Sequence, residues 1–166
     1  TVLDAWNDTA QPFDAKLTIH AAFEAQTART PDATAVVYEG LSLTYAELDV
    51  RANRIAHVLR EMGAGPGVPV GLCCARGLDL VAGALGILKA GAAYVPLDPA
   101  YPADRLAHFM RDSGAPILLL QDALRDRASE SDAETLAIDT DPRIAAAPAT
   151  PVAAKGDADD LAYLIY

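Results

Sequence analysis

Three glycines at alternate positions, Gly63, Gly65 and Gly67, have the spacing that comes nearest to a phosphate-binding loop. Such a loop must follow a strand and open a helix, because its backbone N–H groups and the helix dipole hold the anion together. Here the hydrophobic pattern places the glycines after a helix and before a strand. We therefore interpret them as a turn.

The cysteines and histidines also have structural interpretations. Cys73 and Cys74 are adjacent on a predicted strand, so their side chains should point to opposite faces. Adjacent positions suit neither a disulfide framework nor metal-ligand spacing, and we expect two buried structural cysteines. Each histidine falls on a predicted helix without a second ligand-type residue at metal spacing: His20, His57 and His108.

The other candidates for acid–base or cationic chemistry are the last acidic cluster and one lysine. Asp157, Asp159 and Asp160 precede an apolar run and are typical of a solvated turn. Lys89 falls at a helix end, where the helix dipole explains a cation. The residues by themselves therefore predict no catalytic, no nucleotide-binding and no metal-binding residue in this chain.

The elements that would position a site alternate between helix and strand. Thr44 and Glu47 have the pattern of a capping box at the start of an amphipathic helix that ends at Gly63. Other helices are predicted from Thr18 to before Pro31, over 79–89, and from Pro102 to before Gly114. Strands are predicted over 33–38 and 41–43 as a hairpin, and over 68–74, 92–97, 117–120, 135–138 and 161–166. This alternation indicates a layered α/β sheet.

Two regions of the chain show no strong periodicity. Residues 1–17 are interpreted as an extended linker, and residues 141–156 as a Pro/Ala-rich linker. Residues 122–134 are polar, with one short helix as an option.

Composition excludes several classes of protein. The chain has 166 residues and a net charge of -10, so a single domain with a real core is feasible, whereas a nucleic-acid or anionic-membrane surface is not expected. No run approaches the roughly 18 apolar residues of a membrane span, and the first residues lack a signal-peptide pattern. We expect a cytoplasmic protein.

Two longer segments resemble a known family. Residues 43–48, Leu-Thr-Tyr-Ala-Glu-Leu, resemble the first core motif of the adenylation domains of nonribosomal peptide synthetases. Residues 88–99, Leu-Lys-Ala-Gly-Ala-Ala-Tyr-Val-Pro-Leu-Asp-Pro, resemble the second motif at nearly every position. The agreement continues through residues 101–106, and residues 19–33 resemble the start of the same domains. Residues 6–9, Trp-Asn-Asp-Thr, resemble the linker that follows a condensation domain.

The resemblance implies a layered, mostly parallel sheet with helices on both faces, as the first subdomain of an adenylate-forming enzyme. It divides the chain into an interdomain linker at 1–17 and the N-terminal part of an adenylation domain at 18–166. Such domains use ATP with magnesium to convert an amino acid to an aminoacyl-adenylate. The acyl group then passes to the phosphopantetheine thiol of a carrier domain.

The resemblance also implies partners and a missing site. The partners are the upstream condensation domain, the rest of the adenylation domain, the downstream peptidyl carrier domain and a small accessory activator protein. The family's third motif, a Ser/Thr/Gly-rich phosphate loop ending in Lys-Gly, is expected just after residue 166. No family catalytic or ligand position is therefore matched here. We expect this fragment of an ATP-dependent ligase of secondary-metabolite biosynthesis to be inactive alone.

Two alternatives stay open. An acyl- or aryl-CoA ligase of the same superfamily would share the fold, although the Trp6 linker and the long second motif favour the peptide synthetase. A non-catalytic linker or docking piece would fix the angle between the condensation and adenylation domains. In that case residues 1–17 should lie along the surface, anchored by Trp6 and Phe13.

Overall fold

A parallel four-stranded sheet forms the centre of the chain in the computed structural model, which describes residues 2–12, 14–128, 131–153 and 155–166. The strands are β3 (Pro69–Cys73), β4 (Ala93–Pro96), β5 (Ile117–Leu120) and β6 (Glu134–Ala137). They lie in the order β4-β3-β5-β6, and each neighbouring pair is parallel. All four residues of β5 are buried, as expected for a parallel strand covered on both faces.

Helices cover both faces of this sheet. Helices α3 (Tyr45–Glu61) and α4 (Leu78–Ala90) pack on one face, in a cluster that includes Leu72 and Leu119. Helix α5 (Ala103–Ser113) packs on the other face, in a cluster that includes Leu118. The predicted α/β architecture is confirmed.

The N-terminal half of the body is a helix followed by a hairpin. Helix α2 (Ile19–Arg29) begins at the predicted N-cap, where the Thr18 hydroxyl accepts the N–H of Ala21 at 3.2 Å. Strands β1 (Thr34–Tyr38) and β2 (Leu41–Thr44) pair antiparallel as predicted. Their turn residues, Glu39 and Gly40, have φ angles of 48° and 81°, which is the backbone of a two-residue hairpin turn.

The first residues differ from the extended linker that was predicted. Val2–Asn7 forms a short helix, α1, in which the Asn7 amide donates to the Leu3 carbonyl at 2.6 Å. Leu and Ala favour a helix locally, which the lack of a long period concealed. Trp6 is 79% exposed, so the predicted anchoring by Trp6 is wrong. Phe13, the second predicted anchor, lies outside the described residues.

The C-terminal third also differs from the sequence prediction. The predicted linker 141–156 contains α6 (Pro142–Ala146), because Asp141 caps it and proline suits a first helical turn. By contrast, residues Asp122–Ala128 form a 3₁₀ helix, in agreement with the short helix given as an option for residues 122–134. The predicted strand 161–166 makes a single parallel bridge, from Tyr163 to Tyr94 at the edge of β4. Within the described ranges, none of the helices is both long and apolar enough to span a bilayer.

Candidate functional site

The first motif, residues 43–48, forms the start of helix α3. The Thr44 hydroxyl accepts the N–H of Glu47 at 3.2 Å, and the Glu47 carboxylate accepts the N–H of Thr44 at 2.8 Å. The Thr44 N–H, and to a smaller extent the Thr44 hydroxyl, which donates to Glu47 Oε2 at 3.1 Å, lower the pKa of Glu47. The predicted capping box is confirmed, and its chemistry is structural: it fixes where α3 leaves the hairpin.

The second motif, residues 88–99, contains the end of helix α4, the turn after it and strand β4. Gly91 ends the helix with a φ of 86°, and its N–H bonds to the Leu88 carbonyl at 3.0 Å. A Cβ on Gly91 would lie 2.8 Å from the Lys155 carbonyl oxygen, so the later segment crosses directly over this turn. The motif's glycine is therefore required by both its backbone angle and a close approach.

Lys89, in the same motif, is the centre of a buried ion cluster. Its side chain has no exposed surface, and its ammonium pairs with Glu24 of α2 and lies 2.9 Å from Asp49 Oδ1 of α3. Arg60 of α3 donates to the carbonyls of Lys89 and Ala90 at 3.1 and 3.2 Å. The explanation by the helix dipole is incomplete, because the fully buried ammonium of Lys89 links α4 to α2 and α3, with Glu24 at the partly exposed edge of the cluster.

The carboxyl ends of β3 and β5 form the edge at which sheets with this kind of strand order usually bind ligands. There Gln121 accepts the N–H of Ala75 at 3.0 Å and donates to Asp79 Oδ2 at 2.9 Å. The sequence analysis did not identify Gln121. The signal that could have found it is its place as the polar residue directly after the apolar run 117–120.

A cleft of about 390 Å³ lies beside this network, and it has mixed charge. Arg54 lines it, and the Nε atom of this arginine is buried without a hydrogen-bond partner among the described residues. The carboxylates of the cleft already accept protein donors: Asp139 bonds the N–H of Asp122, and Asp141 bonds Arg143. The Arg143 side chain holds the pKa of Asp141 below its usual value. The cleft therefore offers no free carboxylate pair for acid–base chemistry.

Both cysteines are buried on opposite faces of the sheet, as predicted. Burial, with smaller effects of nearby carboxylates, raises the pKa of Cys73 to about 11 and of Cys74 to about 12. Both thiols are therefore protonated at neutral pH and poor nucleophiles.

The histidines and the glycine turn lie where they were predicted. His20, His57 and His108 fall on α2, α3 and α5. Burial is the main cause that lowers the pKa of His20, whose Nε2 lies 3.2 Å from the Thr18 hydroxyl. The described residues contain no group of three or more side chains suited to a metal ion. The glycines at 63, 65 and 67 connect α3 to β3, so they form a turn.

The fold and the motif geometry agree with the comparisons to known proteins. The chain matches the family described as AMP-binding enzyme over residues 23–166, and it belongs to that family. Within the family, the resemblance to the adenylation domains of nonribosomal peptide synthetases is confirmed by similar proteins of known name and by solved structures.

Two curated relatives are peptide synthases. The chain is 44% identical over 165 residues to a linear gramicidin synthase of Brevibacillus parabrevis, covering 99% of the chain and 2% of that protein. It is 45% identical over 130 residues to surfactin synthase subunit 1 of Bacillus subtilis (strain 168), covering 78% of the chain and 4% of that protein. The chain thus spans only a few hundredths of the length of these relatives.

Solved structures give the same result. The nonribosomal peptide synthetase FmoA3 matches with a TM-score of 0.88 and 42% identity, over 99% of this chain and 18% of that one. The N-terminal subdomain of Klebsiella oxytoca NpsA matches with a TM-score of 0.75 and 21% identity, over 90% and 38%. The second match concerns the fold alone.

Proposed function

We propose that this chain is part of an amino-acid-activating adenylation domain, with an interdomain linker at 1–17 and the N-terminal part of the domain at 18–166. The observation that carries the proposal is the match to FmoA3 over 99% of the chain at a TM-score of 0.88. At 99% coverage the match extends over nearly all of the first 17 residues, which the family match over 23–166 leaves out.

The proposed reaction of the parent joins ATP and an amino acid. The amino-acid carboxylate attacks the α-phosphate, which releases pyrophosphate and gives an aminoacyl-adenylate. A phosphopantetheine thiol on a carrier domain then takes the acyl group, and AMP leaves. Such chemistry needs donors and cations for the charge that develops on phosphate.

The described residues do not fit ATP or magnesium. The three glycines follow a helix instead of opening one, the charged cleft has its carboxylates engaged, and no metal-ligating group is present among these residues. No step of the reaction is therefore assigned to this segment. We propose that it is the scaffold on which the nucleotide-binding parts of the parent are built.

The proposed partners are those that the resemblance implies. They are an upstream condensation domain, the rest of the adenylation domain, a downstream peptidyl carrier domain and a small accessory activator protein. The proposed location is the cytoplasm. The coenzyme A ligase alternative has less support, because the relatives named above are a linear gramicidin synthase and a surfactin synthase.

Amino-acid-dependent exchange of labelled pyrophosphate into ATP tests the proposal. We expect no exchange with the 166-residue chain and exchange with one amino acid in the parent protein. Loss of the acyl product when the carrier thiol is removed, with coenzyme A failing to replace it, separates the synthetase from a coenzyme A ligase. Exchange by the 166 residues alone, or none by the parent with any amino acid, would refute the proposal.

A further inference from the structure

After its last strand, the chain returns from one edge of the sheet to the other. Strand β6 is one edge in the order β4-β3-β5-β6, whereas residues 162–164 bond to Tyr94 of β4 at the opposite edge. The connection runs along α3 and then over the turn at Gly91, at the end of α4. We call its described residues, 147–153 and 155–156, the strap. The contacts of the strap therefore bear on where the chain reaches β4.

Two side chains of α3 donate hydrogen bonds to the backbone of the strap. The Asn53 amide donates to the carbonyl of Ala149 at 3.0 Å. His57 Nε2 lies 3.0 Å from the carbonyl oxygen of Thr150, and because a carbonyl oxygen only accepts, this nitrogen is the donor. Asn53 and His57 are four positions apart and lie on one face of the helix, so they hold two consecutive carbonyls.

Asn53 is held in a single orientation by the buried ion cluster. It has no exposed surface, and Lys89 is the other buried polar or charged residue among those described. The Asn53 amide also donates to Asp49 Oδ2 at 2.9 Å, while Oδ1 of the same carboxylate lies 2.9 Å from the Lys89 ammonium. Both neighbours of the amide nitrogen, Asp49 and the Ala149 carbonyl, are acceptors, so a flipped amide would face oxygen with oxygen. The ion cluster therefore aims the second N–H of Asn53 at the strap.

Packing alone does not account for an asparagine at this place. Asn53 Oδ1 is buried without a hydrogen-bond partner among the described residues, and a buried unpaired oxygen costs free energy. Two apolar side chains of the strap, Ala147 and Val152, also pack on the α3–α4 cluster, but apolar contact has no direction. Pro148 and Pro151 restrict the backbone beside the two bonded carbonyls, so a slip along α3 is passed along the strap instead of being absorbed.

We propose that Asn53 is a positioning residue, whose amide fixes the strap on α3 and thereby sets where residues 162–164 pair with β4. For the reaction, this rests on the function proposed above: residues 162–164 lie in the same adenylation domain, and their place on β4 sets how the α/β body joins the rest of that domain. Because Asn53 is completely buried, it acts through the main chain and not by touching a substrate.

Amide hydrogen exchange of the 166-residue chain tests the placement. The reporters are the N–H groups of Tyr94 and Leu164, which donate to the carbonyls of Ala162 and Tyr94 at 3.1 and 3.0 Å, and the amides of β5 are the internal reference. Asn53→Leu keeps the size of the side chain and removes both donors. It should speed exchange of the reporters relative to β5 about tenfold, as expected for the loss of one buried hydrogen bond. An unchanged ratio would overturn the proposal.

Other variants of α3 separate positioning from a general loss of stability. Val58→Ala, also on α3 and buried, is the matched control and should leave the ratio of reporter to β5 exchange unchanged. An equal rise of the ratio with Val58→Ala would refute a specific role of Asn53. If Asn53→Leu does not fold, the second bond decides. His57→Ala should raise the ratio about threefold, and His57→Gln, which keeps a donor nitrogen at similar reach, should restore it. Equal ratios in these two variants and the unchanged chain would overturn the proposal.

Amino-acid-dependent pyrophosphate exchange in the parent protein tests the link to the reaction. Asn53→Leu should slow exchange about tenfold, because a small displacement of a supporting segment lowers the rate of a reaction that depends on position. Val58→Ala should slow it less than about twofold where both variants are folded. Unchanged exchange with Asn53→Leu would overturn the proposal. If the unsubstituted parent exchanges with no amino acid, the proposed function fails, and the hydrogen-exchange result alone decides the role of Asn53.

Discussion

Helices α3 and α4 are held together by extensive apolar packing, whereas helix α2 is held on them by a few aromatic and ionic contacts. Helices α3 and α4 each bury at least seven residues and approach so closely that a Cβ on Gly86 would lie 2.6 Å from Ile55 Cγ2. Helix α2 buries no residue fully. It is held by the Phe23–Tyr45 ring contact, at 5.6 Å between centroids, and by the Glu24–Lys89 ion pair.

This difference predicts which part of the molecule unfolds locally first. Apolar burial spread over two helices is lost only when the body unfolds, whereas one ring contact and one ion pair can be lost locally. We therefore expect the α3–α4 pair to be the stable part of the chain and α2 to open first. Because α2 follows residues 1–17, its attachment also sets where that segment leaves the body.

The strongest test of the comparison removes apolar contact from the body. Leu59→Ala should lower the free energy of unfolding by about 3–4 kcal/mol, because Leu59 is fully buried in the α3–α4 cluster. Urea denaturation of the 166-residue chain measures it. Leu41→Ala on the exposed hairpin should cost less than about 0.5 kcal/mol. Similar costs for both variants would mean that the body is not the stable region.

A smaller effect is expected from the centre of the ion cluster. Lys89→Met should lower the free energy of unfolding by about 2–3 kcal/mol, because it leaves Asp49 without its cation. Glu24→Gln should cost about 1 kcal/mol, since Glu24 is 38% exposed.

Hydrogen exchange distinguishes the two variants of the cluster. Glu24→Gln should speed exchange in α2 and leave α3 and α4 unchanged, whereas Lys89→Met should affect all three helices. Uniform loss of protection with Glu24→Gln would contradict the expectation that α2 opens first.

A substitution at the N-cap of α3 should have a still smaller effect on the stability of the α3–α4 pair. Thr44→Ala should cost about 1 kcal/mol, because one half of the capping box disappears. Denaturant unfolding measures this loss, and Thr44→Ser, which keeps the hydroxyl, is the control. A loss of the same size with serine would show that the methyl group, and not the cap, is responsible.

The smallest expected effect concerns pH and α2. Burial lowers the pKa of His20 below its usual 6.5, so the folded state favours the neutral ring. The stability that the neutral His20 ring contributes is fully present above pH 6.5. It is lost as the pH falls from 6.5 through the lowered pKa of the folded state. The groups that face His20 are Glu24 on its own helix, Lys89 on α4 and Arg60 on α3.

Amide hydrogen-exchange rates in α2 between about pH 7 and pH 5 measure this loss of stability, once they are corrected for the pH dependence of the intrinsic exchange rate. His20→Gln should flatten the dependence, while His108→Gln on α5 should leave it unchanged. A dependence that survives in His20→Gln would assign it to another group.

Sequence patterns predicted those parts of the fold that depend on local rules. The Thr44–Glu47 cap, the hairpin over 33–43 and the amphipathic helix α3 were all predicted, because capping, turn geometry and helical period act over a few residues. Short elements with weak periods, α1 and α6, were missed for the same reason.

Long-range contacts could not be predicted from the pattern. Lys89 meets Glu24 and Asp49, which lie 65 and 40 positions earlier, and no spacing rule links them. Likewise, Asn53 meets the Ala149 carbonyl, 96 positions later, only because the chain returns along α3 toward the edge of β4. Such sites depend on the sheet order, which the alternation of elements indicates without specifying.

The order of the strands has a consequence for synthesis on the ribosome. All four strands of the parallel sheet lie between Pro69 and Ala137, and helices α3 to α5 come before β6. Folding during translation proceeds from the N-terminal side, in units. The sheet can therefore close once residue 137 has emerged, and the edge beside Tyr94 can receive residues 161–164 afterwards.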